Sequence, residues 1–81
     1  MRLPRDISGE ELAALLQRHG YQITRQTGSH MRLTTSHGGE HHVTIPNHDP
    51  LRLGTLNSAL KDVAEHLGLS REELLISLRD K

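Results

Sequence analysis

YQITRQTGSHMRLTTSHGGEHHVTIP, residues 21–46, decides the fold. Its apolar residues fall at Tyr21 and Ile23, then Met31 and Leu33, then Val43 and Ile45, all odd-numbered. Successive side chains of a strand point to opposite faces, so this period of two, cut at Gly28 and at Gly38-Gly39, predicts a three-stranded meander with one apolar face. Keeping the odd residues together through both turns requires odd loop lengths. Thr27-Gly28-Ser29 and His37-Gly38-Gly39 satisfy this with three residues each and offer glycine for positive φ. The even residues then form cross-strand rows on the other face: Gln26 with His30 and Pro46, Thr24 with Arg32 and Thr44, Gln22 with Thr34 and His42. That face carries nothing apolar larger than proline, so it is expected to stay open. The outer strands, 21–26 and 41–46, leave edges that another chain could pair with.

Helices flank the meander. Ile7-Ser8-Gly9-Glu10-Glu11-Leu12 is a helix start: Ser8 caps the third helical amide, Glu11 reaches back to the Ser8 amide, and Ile7 packs on Leu12. Leu12, Leu15 and Leu16 give the apolar stripe and Gly20 the stop. Leu56, Ala59, Leu60, Val63, Ala64 and Leu67 mark a second amphipathic helix, with Thr55 as its expected cap and Gly68 as its end. Asn47 to Leu53, containing Pro50, reads as a loop. Leu69-Ser70-Arg71-Glu72-Glu73-Leu74 repeats the capping pattern and opens a short last helix with Leu75 and Leu78. The expected fold is α+β: α-β-β-β-α with a short extra C-terminal helix, a three-stranded antiparallel sheet and helices on one face. This is the architecture of double-stranded-RNA-binding domains, and topology alone does not fix function.

Composition narrows the function classes. Eighty-one residues make a single domain over 1–81. Without cysteine there are no disulfides, thiolate zinc sites or cysteine nucleophile. No apolar run approaches the roughly 18 residues of a membrane span and no charged-then-apolar leader opens the chain, so a soluble, cytoplasmic protein without a membrane partner is expected. Tyr21 is the sole aromatic residue, which argues against reading RNA by rows of stacked bases. Net charge is zero, yet no Asp or Glu occurs from Leu12 to Gly39, where Arg18, Arg25 and Arg32 lie. Extending the window to His48 admits only Glu40 and adds His41, His42 and His48. Seven imidazoles with an ordinary pKa near 6.5 add roughly one to two charges at pH 7, so the middle of the chain is a modest anion-attracting surface.

The histidines do not form a metal site by spacing. His41 and His42 must point to opposite faces of a strand, and Gly38-Gly39 prevents His37 and His41 from sharing a helix turn. No metal or other cofactor is therefore expected. His19, His37, His41 and His66 read as polar side chains satisfied by water. His30 differs in context: it follows the Gly28-Ser29 turn and lies on the open face with Arg32 two residues along, a place where a phosphate can meet an imidazole.

Four blocks, RDISGEELAALLQRHGY (5–21), RQTGSHMRLT (25–34), HVTIPNH (42–48) and GTLNSALKDVAEHLGLSREELL (54–75), closely resemble the HicA-type toxins of toxin–antitoxin systems. The resemblance runs over nearly the whole chain with block order intact. It implies a metal-independent endoribonuclease, an mRNA interferase, held inactive by a HicB-type antitoxin. Carried over from the family, the catalytic histidine is His30 and its glycine neighbour is Gly28. Cleavage of RNA without metal needs a base for the 2′-hydroxyl, an acid for the 5′-oxygen and positive charge around the phosphorus. His30 suits the base. Arg25 and Arg32 suit the charge, and Gly28 and Ser29 offer a close-approach turn to the RNA. The acid is open: His42 lies roughly 13 Å from His30 along the strands, and His48 lies beyond Pro46. The antitoxin is expected to cover the same face. The rival reading is a non-catalytic RNA- or protein-binding module on the same scaffold, in which His30 has no chemistry.

Overall fold

The computed structural model describes residues 6–79 of the chain. The elements run α1 (Gly9–Leu16), a 3-10 turn (Gln17–His19), β1 (Gln22–Gln26), β2 (His30–Thr35), β3 (His41–Pro46), α2 (Leu53–Leu67) and α3 (Arg71–Arg79). The sheet is antiparallel with order β1-β2-β3, so both outer strands have a free edge. The expected α+β architecture is the observed one. No helix among the described residues is long and apolar enough to cross a membrane.

Both capping boxes form. Ser8 Oγ accepts from the Glu11 amide at 3.0 Å while Glu11 Oε1 accepts from the Ser8 amide at 2.8 Å. Ser70 and Glu73 repeat the pair at the same distances. Each box satisfies two of the amides that a helix start leaves without partners. Gly20 and Gly68 stop their helices in the left-handed conformation, at φ 86° and 71°. The cap of α2 differs from the expectation: the helix begins at Leu53, Arg52 holds the cap position through its backbone, and Thr55 lies inside the first turn.

One apolar cluster fills the space between sheet and helices. Tyr21, Met31, Leu33, Val43 and Ile45 supply the sheet side, and Leu12, Leu16, Leu60, Val63, Leu74 and Leu78 the helix side. Ile7 and Leu51 close it at one end, linked by the Leu51 amide donating to the Ile7 carbonyl at 2.8 Å. Both α1 and α2 pack against β3. Ile23 departs from its expected place. It remains 39% exposed, because β1 is an outer strand whose side chains are all exposed.

Gly9 shows how tightly the start of α1 meets the end of the sheet. Its amide donates to the His48 carbonyl at 2.9 Å. A Cβ placed there would lie 2.1 Å from the Pro46 carbonyl oxygen. Only glycine allows this approach, which holds the end of β3 against the start of α1.

Candidate functional site

The site begins with a fault in the ladder. From β2 to β3 the rows run as expected: His30 opposite Pro46, Arg32 opposite Thr44, Thr34 opposite His42. From β1 to β2 they start as expected, Gln22 opposite Thr34, then shift by one residue between Ile23 and Arg25. Arg25 therefore stands opposite Arg32, and Gln26 opposite Met31, in place of the expected Thr24–Arg32 and Gln26–His30 pairs. This is a β-bulge at Thr24, and a bulge re-aims the side chains that follow it. Thr24 keeps its hydroxyl on the open face, 2.8 Å from Thr34 Oγ1. Arg25, odd-numbered and so nominally on the core face, is turned to the open face as well.

The turn tightens to match. The Thr27 amide donates to the His30 carbonyl at 2.9 Å, and the His30 amide donates to Thr27 Oγ1 at 3.2 Å, leaving Gly28-Ser29 as a two-residue tip. Gly28 does not use positive φ, unlike Gly38 and Gly39 in the second hairpin. A Cβ on Gly28 would meet nothing within 4 Å.

Arg25, Thr27, His30, Arg32 and Thr44 line one shallow hollow of about 290 Å³. Three of the five predicted site residues, Arg25, His30 and Arg32, thus come together around it, whereas Gly28 and Ser29, at the tip of the turn, do not line it. Ser29 Oγ lies 3.0 Å from His30 Nδ1, which orients the ring and leaves Nε2 free. With Nδ1–H donating to Ser29, the Nε2 lone pair is available to take a proton. Among the described residues neither Arg25 nor Arg32 is in an ion pair. Two uncompensated guanidiniums therefore flank one imidazole. Sequence reasoning did not single out Thr27 and Thr44. The parity rule that placed Thr44 beside Arg32 was the available signal.

Neither candidate acid lines the hollow. His42 has both ring nitrogens occupied: Nε2 lies 2.9 Å from Glu40 Oε2, and Nδ1 lies 2.8 Å from Thr34 Oγ1. A carboxylate only accepts, so Nε2 carries the proton. In the neutral ring Nδ1 then accepts from Thr34, which in turn accepts from Thr24. Arg18 also leaves the basic surface, since its guanidinium donates to the Leu78 carbonyl at the end of α3.

Three of the four histidines expected to be water-satisfied are instead built into the far end of the fold. Tyr21 Oη lies 2.7 Å from His41 Nδ1, and His41 Nε2 lies 3.3 Å from Asp62 Oδ1. The His41 ring stacks on His66 at 4.3 Å, and His66 Nε2 donates to the His37 carbonyl at 3.0 Å. Burial, reinforced by the Asp62 charge, pushes the Tyr21 hydroxyl up to about 12. His19 Nε2 lies 2.8 Å from Ser77 Oγ, whose own proton goes to the Leu74 carbonyl at 2.7 Å, so His19 is the donor. Burial first and His37 second hold the His19 pKa below the ordinary imidazole value. No three His, Asp or Glu side chains among the described residues converge as a metal site would require.

Against known proteins, the model of one family, described as the HicA toxin of bacterial toxin–antitoxin systems, matches residues 9–64, more than half of the chain. Nothing among curated proteins or solved structures matches significantly. The matched span contains α1, all three strands, every residue of the His30 hollow and most of α2. A toxin of this kind has an antitoxin as its partner. The chain belongs to the HicA toxin family of bacterial toxin–antitoxin systems.

Proposed function

We propose that residues 1–81 act as one cytoplasmic toxin domain that cleaves messenger RNA without a metal ion, with His30 as general base. The observation that carries this reading is the free Nε2 of His30 between two unpaired guanidiniums on the open sheet face. An RNA strand laid on that face brings a phosphodiester against Arg25 and Arg32. The 2′-hydroxyl gives its proton to His30 Nε2 as its oxygen bonds to phosphorus, and the bond from phosphorus to the 5′-oxygen breaks. Solvent water protonates the leaving oxygen, since no second acid lines the hollow. The product is a 2′,3′-cyclic phosphate. Arg25 and Arg32 stabilise the charge that accumulates on the phosphoryl oxygens. Gly28, with no side chain, and Ser29 let the RNA backbone approach the turn.

A HicB-type antitoxin neutralises the toxin by covering the same face, with acidic groups on the two arginines. The experiment is incubation of the purified protein with a defined RNA in EDTA, beside His30→Ala of confirmed fold. Cleavage by the wild type alone, leaving cyclic or 3′-phosphate ends, supports the assignment. A rate loss of roughly two to four orders of magnitude is expected for a missing general base. Intact RNA in both, with binding retained, would transfer the reading to a non-catalytic binding module.

A further inference from the structure

A second hollow, of about 380 Å³, adjoins the first. It lies between β3 and α2, and Thr44 lines both. Val43 and Ala59 give it an apolar floor, while Thr55, Ser58 and Asp62 stand along the helix side. We propose that this hollow is a nucleobase subsite, selective for guanine, that holds a base adjoining the scissile phosphate. The proposal rests on the nuclease reading of the His30 hollow and names what that site would recognise beyond a phosphate.

Three features lead there. The first is continuity: Arg32 stands opposite Thr44, so a strand whose phosphate sits on Arg25 and Arg32 passes over Thr44 into the second hollow. The second is charge. The Asp62 carboxylate repels a phosphate, so an anionic part of the RNA is excluded and a neutral group with N–H donors is favoured. The third is orientation. His41 Nε2, its proton fixed by the Tyr21 hydroxyl on the other ring nitrogen, donates to Asp62 Oδ1 at 3.3 Å and holds the carboxylate in place. The other oxygen, Oδ2, makes no hydrogen bond within the described residues, and Oδ1 has a second lone pair.

Guanine is the base that fits a carboxylate. Its Watson–Crick edge presents N1–H and the 2-amino group side by side, two donors for two acceptor oxygens. Adenine and cytosine each offer one amino group next to a ring acceptor that a carboxylate repels, and uracil places carbonyls beside its single N–H. Unstacked bases of single-stranded RNA are read along such edges. Thr55 and Ser58 hydroxyls can donate to the guanine O6, and the Val43–Ala59 floor supports the ring without an aromatic partner.

The test measures binding, not cleavage. Uncleavable 2′-O-methyl pentanucleotides are compared by fluorescence anisotropy: all-uridine, and versions with one guanosine, inosine or adenosine scanned across the positions. One position is expected to prefer guanosine over inosine and adenosine by about tenfold, the lower range for a bidentate base contact. Asp62→Ala removes the acceptor, and Ser58→Leu fills the hollow from an exposed helix position. Both are expected to erase the preference, so that the guanosine pentanucleotide binds no more tightly than the inosine and adenosine versions to the same variant. Equal affinity for all bases, or a preference that survives both substitutions, overturns the subsite and leaves the nuclease reading intact. Failure of every oligonucleotide to bind overturns both.

Discussion

Arg25 and Arg32 stand directly opposite each other on β1 and β2, with no carboxylate paired to either among the described residues. Like charges in that relationship oppose folding, and a sheet selected only for stability has no reason to keep them. The bulge at Thr24 creates the pairing, because the regular register would have put Thr24 there. The local cost is therefore attached to the one surface that surrounds His30.

Arg25→Gln and Arg32→Gln should consequently separate stability from activity. Each is expected to raise stability by roughly 0.2–0.5 kcal/mol through relief of the repulsion, and to lower RNA cleavage by about ten- to a hundredfold. Thermal melts and single-turnover rates on the same preparations check both. A matching fall in stability and rate would mean that the arginines hold the sheet together. Each change should also flatten the dependence of binding on salt by roughly one phosphate contact.

Most of the fold was legible because it follows local rules. The two Ser-x-x-Glu boxes, the odd-numbered apolar strand residues and the left-handed glycines at 20 and 68 all appear where short-range chemistry puts them. The meeting of His30 and Arg32 on the open face follows from parity alone. Arg25 was placed by the hairpin end and not by its face. The bulge that turns it arises from how strands twist against one another, and ITRQ carries no mark of it. His41 was misread for the opposite reason. Its odd number already set it on the core side, where it finds Tyr21, but a polar residue near a turn suggested water. The α2 cap is displaced because the helix gains three residues, Leu53, Gly54 and Thr55, with no side-chain cap to announce them.

Gly9 and Gly28 should respond oppositely to the same substitution. Gly9→Ala sets a Cβ 2.1 Å from a backbone carbonyl, so the start of α1 or the end of β3 must move. The expected loss is about 1–3 kcal/mol in urea denaturation, the range for overpacking a fitted contact. Gly28→Ala meets open space at ordinary φ and should stay within about 0.5 kcal/mol of wild type. A cleavage defect in Gly28→Ala at unchanged stability would then report the approach of the RNA to the turn.

His19 supplies an acid-side prediction. Its pKa is lowered in the folded protein, by burial first and by His37 second, so the unfolded chain binds the proton more readily. The stability tied to this residue is complete above the unfolded value of 6.5 and is lost as pH falls through the lower folded value. His19→Gln keeps a donor for Ser77 and removes the titration. Between pH 7 and pH 5 the urea midpoint of this variant should fall less than that of the wild type. An identical fall would mean that His19 is solvated and that its contact with Ser77 adds nothing to the docking of α3.

Tyr21 supplies the alkaline counterpart, and it can be observed directly because the chain has no other tyrosine and no tryptophan. Burial and the Asp62 charge raise its pKa from 10 to about 12. The folded state thus keeps a proton that the unfolded chain gives up. Stability from this group is complete below pH 10 and is lost as pH rises toward 12. A shift of that size corresponds to about 2–3 kcal/mol. The tyrosinate absorbance of the folded protein should rise with a midpoint far above 10, or abruptly with unfolding if the fold gives way first. Tyr21→Phe should remove this alkaline limb and cost about 1 kcal/mol at neutral pH, because His41 Nδ1 loses its donor. The same variant releases the tautomer of His41 and with it the orientation of Asp62, so guanosine preference should weaken without loss of the RNA backbone contacts. A tyrosine titrating at 10 in the folded protein would place the ring in water and break the chain from Tyr21 through His41 to Asp62.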